Sequence, residues 1–211
     1  MTNTEINTEI KYSRGYLPHI HTEHGQTITL RLHDSLPVAS FKRMEATADS
    51  PEERHKIVAR FLDEGRGSCI LERPEVAAIV RDSILWCDGR KYDLKDWVVM
   101  PNHAHVSYRN GRKIPTRVAG EIKSFTAKEI IKVSEDVEAP VWMPGTFDRY
   151  IRDEVHDFNV QRYIWFNPVR AGLVEDPWDW EFSSIHDSPF DKEELRRWFE
   201  QNKDGFWDNG F

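Results

Sequence analysis

Hydrophobic residues fall into short blocks whose spacing changes along the chain. In QTITLRL, residues 26–32, Ile28, Leu30 and Leu32 alternate with polar neighbours, and this period of two predicts a half-buried strand. It ends at the turn-like HDSLP. Pro51 opens a helical stretch to about Glu64, with Ile57, Val58, Phe61 and Leu62 on one face and Gly65 and Gly67 closing it. A second helix starts near Pro74, where proline suits the first helical position, and carries Val76, Ile79, Val80, Ile84 and Cys87 as far as Asp88 and Gly89. The run WVVM, residues 97–100, reads as a buried strand, and after a turn at Pro101 and Asn102 a further strand follows over 103–108. Two strands joined by so tight a turn form a hairpin. Pro115 to about Val133 is helical, with Val118, Ile122, Phe125, Ile130 and Val133 mostly on one side. Residues 134–148, with two prolines and a glycine, read as loop. Helical spacing returns from Asp153 to about Trp165, and Pro168 is expected to halt it, because the residue before a proline disfavours the α region. The end of the chain reads as a loop, DPWDWEFSSI, and a short helix, DKEELRRWFEQ, packed by tryptophans. Strands interleaved with helices predict an α+β fold with a mostly antiparallel sheet.

Composition narrows the class. At 211 residues, 39% hydrophobic and 31% charged, the chain suits one globular domain with a real core, and no internal repeat points to a solenoid. The N-terminus lacks a basic segment followed by an apolar one, and no run of about eighteen apolar residues occurs, so neither export nor a membrane span is expected. Cys69 and Cys87 have no metal-ligand spacing, and a reduced, cytoplasmic protein is the expectation. The net charge of −7 argues against a nonspecific nucleic-acid binder, but the charge is unevenly spread. Residues 101–132 hold Arg109, Arg112, Lys113, Arg117, Lys123, Lys128 and Lys132 against Glu121 and Glu129, a local excess of five positive charges. Arg149, Arg152, Arg162 and Arg170 surround Tyr163. Both groups read either as solvated helix faces or as a path for DNA.

Two constellations carry chemistry. On a strand, residues two apart share a face, so His103 and His105 would present two imidazoles able to share a divalent metal; the same spacing also suits paired surface histidines. His19 and His21 repeat the spacing in a polar segment after Pro18, where rigidity is not expected. On a helix, Tyr163 and Asn167 lie one turn apart on one face. A phenol of pKa about 10 is a poor nucleophile unless a metal polarises its target or cations flank it. The competing reading makes Tyr163 a core residue and Asn167 a cap.

The strings WVVMPNHAHV, KSFTAKE, FDRYIRDE and RYIWFNPVRAGLVEDPWDWEFSS resemble the REP-associated tyrosine transposases, a bacterial branch of the HUH single-tyrosine transposases. The resemblance runs from about Ile28 to Ile185 and is specific in its combination of MPNHxH with a later YIxxNPVxAGLV. It implies a ferredoxin-like palm, an antiparallel sheet bearing the HUH histidines with helices packed on it. The implied layout is an N-terminal extension over 1–25, partly disordered, a transposase-like domain over 26–186 and a helical tail over 187–211. His103 and His105 match the metal pair, Asn167 a third ligand and Tyr163 the nucleophile, with Mg²⁺ or Mn²⁺ as cofactor. The partner is single-stranded or hairpin DNA, cleaved near hairpin ends through a 5′-phosphotyrosine, with Arg109, Arg112, Lys113, Arg117, Lys123, Arg149, Arg152, Arg162 and Arg170 along the DNA. A noncatalytic hairpin-binding relative and a metallohydrolase with a structural Tyr163 are the alternatives. Monomer and homodimer both remain open.

Overall fold

The computed structural model describes residues 25–36, 57–58 and 60–209, with side chains through Lys203. The N-terminal extension, the His19 and His21 pair and the start of the helix at Pro51 lie outside the described residues.

Four strands form one antiparallel sheet in the order β2-β3-β1-β4, where β1 is Gln26–Arg31, β2 Asp93–Met100, β3 His103–Arg109 and β4 Phe147–Tyr150. The hairpin is β2 and β3, paired from Met100 opposite His103 to Asp93 opposite Arg109, with a register shift between Leu94 and Asp96. β1 lies centrally, with Arg31 opposite His103 and Thr29 opposite His105. Its other edge takes β4, Phe147 opposite Thr29. The strand β4 begins in the last two residues of the stretch expected to be loop: FDRY is too short and too charged to show a period, and it is extended because it completes the β1 edge.

Alternation sorts the side chains onto two faces. Ile28, Leu30, Ala104, Val106, Tyr108, Trp97 and Val99 share a core with Val76, Val80 and Ile84 of α1, Pro74–Cys87, and Val118, Ile122 and Ile130 of α2, Pro115–Val133. Both helices begin with the proline expected at their first position. Phe125 and Val133 do not join this core; each is more than half exposed, on the outer side of α2.

The opposite face of the sheet carries Thr27, Thr29, Arg31, His103, His105 and Ser107, all buried. A half-buried β1 would turn its polar positions to water. Instead that face is covered as well: α3, Glu154–Arg170, packs Val160, Tyr163 and Ile164 with Val98 and Met100 of β2, and the Arg31 guanidinium lies against the Phe147 ring. α4, Lys192–Asn209, adds Leu195 and Phe199 to the same cluster.

Pro168 does not end α3. The helix runs two residues further and closes on Gly172 at φ +70°, where Gly172 N–H donates to Val169 O at 3.0 Å and Leu173 N–H to Pro168 O at 3.0 Å. That is the paired closure of a helix C-terminus on a left-handed glycine. Proline there forgoes its own donor and crowds the Ile164 carbonyl, a cost that the burial of α3 and its closure on Gly172 offset. Asn167 therefore sits inside a formed turn, fully buried, rather than at a frayed end.

Residues 57–58 and 60–63 are helical. Val58 and Leu62 pack with Leu36 and Phe147 beside the end of the sheet that carries His103. No described helix is long and apolar enough to cross a membrane.

Candidate active site

His103 and His105 project from β3 onto the face beneath α3, their ring centroids 4.7 Å apart and nearly perpendicular at 80°. Each has one ring nitrogen engaged from behind. Asn102 Nδ2 donates to Leu62 O at 3.1 Å and Arg66 O at 3.0 Å, which fixes the orientation of the amide. Its Oδ1, 2.7 Å from His103 Nδ1, must then accept, so Nδ1 carries the proton and Nε2 the lone pair. His105 Nδ1 lies 3.0 Å from Thr29 Oγ1 on the neighbouring strand. Such partners hold an imidazole ligand in one orientation. Thr29 and Asn102 were not among the residues the sequence suggested, although Asn102 stood inside the MPNHxH string.

Burial pushes His103 down to about pH 3, helped by Arg170 and Arg31, so its imidazole is neutral near pH 7. Nε2 is buried and makes no hydrogen bond. A buried lone pair without a donor is what a metal ligand presents before metal binds.

α3 brings the second constellation onto the first. The Tyr163 ring meets the His105 ring edge-on, centroids 5.2 Å apart at 76°. Asn167 lies one turn on, and neither of its amide atoms makes a hydrogen bond of ordinary geometry. Tyr163 is 2% exposed, and its phenol is pushed up to about pH 12, chiefly by burial, while Arg170 and Asn167 oppose that rise. The four residues singled out as His103, His105, Tyr163 and Asn167 thus form one cluster. Two imidazoles and an amide oxygen fit a hard divalent ion completed by phosphate or water oxygens. Among the described residues no group of three His, Cys, Asp or Glu side chains forms a metal site, so the fit depends on the amide.

The suggested DNA-contacting cations separate into three groups. Arg149 on β4 stands opposite Thr27, and Arg170 lies over the Tyr163 ring at 4.8 Å; both belong to the histidine face. Arg109 reaches the far end of that face and pairs with Asp157 at 2.9 Å, while Arg152 is exposed just before α3. Arg112, Lys113 and Arg117 lie toward α2; Arg112 pairs with Asp93 at 3.5 Å and Lys113 with Glu121 at 2.5 Å. Arg162 and Lys123 are turned inward. Arg162 is 3% exposed, its guanidinium 4.2 Å from the Phe158 ring and 4.7 Å from that of Phe190. Lys123 Nζ donates to the carbonyls of Met143 and Gly145, and burial lowers it to about pH 8. Sequence counts the charge on these two residues but cannot see that structure encloses it.

Two site residues carry no local signal in the sequence. Arg31, opposite His103 on β1, is 5% exposed with its guanidinium 4.3 Å from the Phe147 ring. Asp63, from the helical segment before α1, forms an ion pair with Arg170. Both approach from 40 residues or more away in sequence, and nothing beside them marks them.

An α+β sheet with a histidine pair beneath a tyrosine-bearing helix is the class that fold and site define. No family model matches the chain. In sequence it is similar to a protein of Escherichia coli (strain K12) named REP-associated tyrosine transposase, 28% identical over 100 residues, covering 46% of this chain and 56% of that one. A Haemophilus influenzae protein provisionally given the same name is 27% identical over 110 residues, covering 47% of this chain and 62% of that one. The matched segments therefore span less than two thirds of either relative. In structure the chain resembles a REP-associated tyrosine transposase solved bound to a REP hairpin, with a TM-score of 0.55, 19% identity, and 84% and 83% of the two chains covered. At that identity the likeness shows the fold, and it agrees with the architecture that the motifs implied.

Proposed function

We propose that the protein is a metal-dependent, transposase-like nuclease and strand transferase acting on single-stranded DNA near hairpins through a 5′-phosphotyrosine. The observation that carries this reading is the contact of the Tyr163 and His105 rings at 5.2 Å, with His103 beside one and Asn167 beside the other. A tyrosine placed only for packing has no need of two oriented imidazoles and a buried amide. The names of the sequence relatives, and the hairpin bound in the structural relative, support DNA as the substrate.

In this reading His103, His105 and Asn167 would hold Mg²⁺ or Mn²⁺, which when bound supplies Lewis acidity to nonbridging phosphate oxygens. Tyr163 Oη attacks phosphorus in line; its bond to phosphorus forms as the bond to the 3′ oxygen breaks. The phenol loses a proton and the departing 3′ oxygen gains one. The phosphotyrosine keeps the phosphodiester energy, so a 3′-hydroxyl can rejoin the strand without ATP. Arg31 and Arg170 add positive charge beside His103, which favours an anionic phosphate there.

Burial of Tyr163 favours a second reading, a noncatalytic hairpin-binding protein in which the phenol is never presented to DNA. Covalent capture separates the two. With Mg²⁺ or Mn²⁺ and a 3′-labelled hairpin oligonucleotide from repeats flanking its own gene, the wild type is expected to carry label through denaturing electrophoresis. Tyr163→Phe is expected to bind the hairpin with unchanged affinity and carry none. An adduct persisting in that variant, or mapping to Tyr150, removes Tyr163 from the chemistry; binding without any wild-type adduct selects the second reading.

A further inference from the structure

On α3, Tyr163, Asn167 and Arg170 fall at intervals of four and three residues and share one face. The Arg170 guanidinium lies 4.8 Å from the centre of the Tyr163 ring and close enough to His103 to disfavour its protonation. It is held there by Asp63, and both side chains of the ion pair are about 15% exposed. Asp63 arrives on the helical segment that Asn102 fastens to the metal-strand hairpin through the carbonyls of Leu62 and Arg66. One segment is thus tied at adjacent residues to both halves of the site: Leu62 through Asn102 to His103, and Asp63 through Arg170 to Tyr163.

Stability gives no reason for such a pair. Removing two charges from water is expensive, and a largely buried ion pair can usually be replaced by apolar side chains without loss. Burial here is deep enough to push the Asp63 carboxyl up to about pH 6 despite the facing guanidinium. What the pair does provide is direction. Arginine presents a planar fork suited to phosphate, and a carboxylate holding one arm fixes where the remainder points. Here it fixes the fork beside the nucleophile and the histidines.

We propose that Asp63 is a positioning residue for strand cleavage: it orients Arg170 as a guanidinium clamp on the scissile phosphate next to Tyr163. This rests on the proposed function above and extends it to a segment that the motifs do not cover.

The test is a double-mutant cycle on the full chain, with the 3′-labelled hairpin oligonucleotide and Mn²⁺. Single-turnover adduct formation and hairpin affinity are measured for wild type, Asp63→Asn, Arg170→Gln and the double variant, with thermal melting to confirm folding. Asp63→Asn removes a negative charge, so affinity is expected to stay level or rise, while adduct formation slows about 10- to 100-fold as the clamp loses its orientation. The double variant is expected to be no slower than Arg170→Gln alone, because Asp63 acts only through Arg170. Additive losses, an undiminished rate in Asp63→Asn, or a parallel fall in affinity and melting temperature would each overturn the positioning role while leaving the function intact. A wild type that binds the hairpin but forms no adduct overturns the function first, and the clamp with it.

Discussion

The two faces of the sheet are built from the same strands and are equally buried, yet they differ in kind. Toward α1 and α2 the strands present Ile28, Leu30, Val106 and Val99, which need nothing beyond close packing. Toward α3 they present Thr29, Arg31, His103 and His105, together with Asp96 near the far end of β2. Burying such groups is unfavourable unless partners are found, and here some are not: His103 Nε2, Asp96 Oδ2 and both amide atoms of Asn167 make no hydrogen bond of ordinary geometry. The apolar face stores stability, and the polar face gives some of it up at the residues of the proposed chemistry.

That contrast breaks most visibly at the histidines. His103→Ala or His105→Ala is expected to reduce cleavage by a factor of about 1,000 or more while the protein still folds, since each change removes a buried polar group rather than core volume. EDTA added to the wild type should reproduce the loss. Undiminished cleavage in either case would take the metal out of the mechanism.

Ile28→Ala, one residue from Thr29 but on the opposite face, is expected to do the reverse. It should lower stability by about 2–5 kcal/mol, read as a shift in the denaturation midpoint, while cleavage per folded molecule is retained. If Ile28→Ala were to abolish cleavage at full stability, the division between the faces would be wrong.

How much of this was legible follows the same division. The apolar face announces itself by period, and α2 runs between the residues that its spacing predicts, Pro115 and Val133. The histidine pair and the tyrosine were legible because each is a short-range pattern on one element. The polar alternates of β1 were misread because a period of two reports only that two faces differ, not that the second is buried as well. Thr29, Arg31 and Asp63 matter through partners distant in sequence, and charge counts missed that Arg162 and Lys123 are enclosed by rings and carbonyls.

Asp96 sharpens the comparison through pH. Burial raises its carboxyl from 3.8 to about 6, against the opposing influence of Gln161 and Lys95. A raised folded-state value means that its contribution to stability is fully present below pH 3.8 and is lost as pH rises through about 6. Asp96→Asn should therefore melt higher than wild type at pH 8, by about 1–3 kcal/mol in stability, and show no such gain at pH 4. An equal gain at both values would mean that charge is not what makes this position unfavourable.

The smallest expected effect concerns the outer surface behind the apolar face, and it decides whether the proposed DNA path extends beyond the site. Arg117 and Lys128 line one shallow depression on α2 with Ile114 and Phe125, and neither makes an ion pair with a described residue. Arg112 and Lys113 nearby pair with Asp93 and Glu121, so part of the positive charge counted in sequence is cancelled in space. Only unpaired cations release counterions on meeting phosphate, and each cation that no longer meets a phosphate lowers the slope of log affinity against log salt by about 0.7–0.9. Replacing Arg117 and Lys128 together by alanine should thus flatten the slope by about 1–2 and weaken hairpin binding modestly, leaving adduct formation at saturating DNA unchanged. Removing Lys113 alone should change it less, because Glu121 is then left without one of its two lysines. An unchanged slope in the Arg117 and Lys128 double variant would confine the DNA to the histidine face, with α2 serving only to close the core behind it.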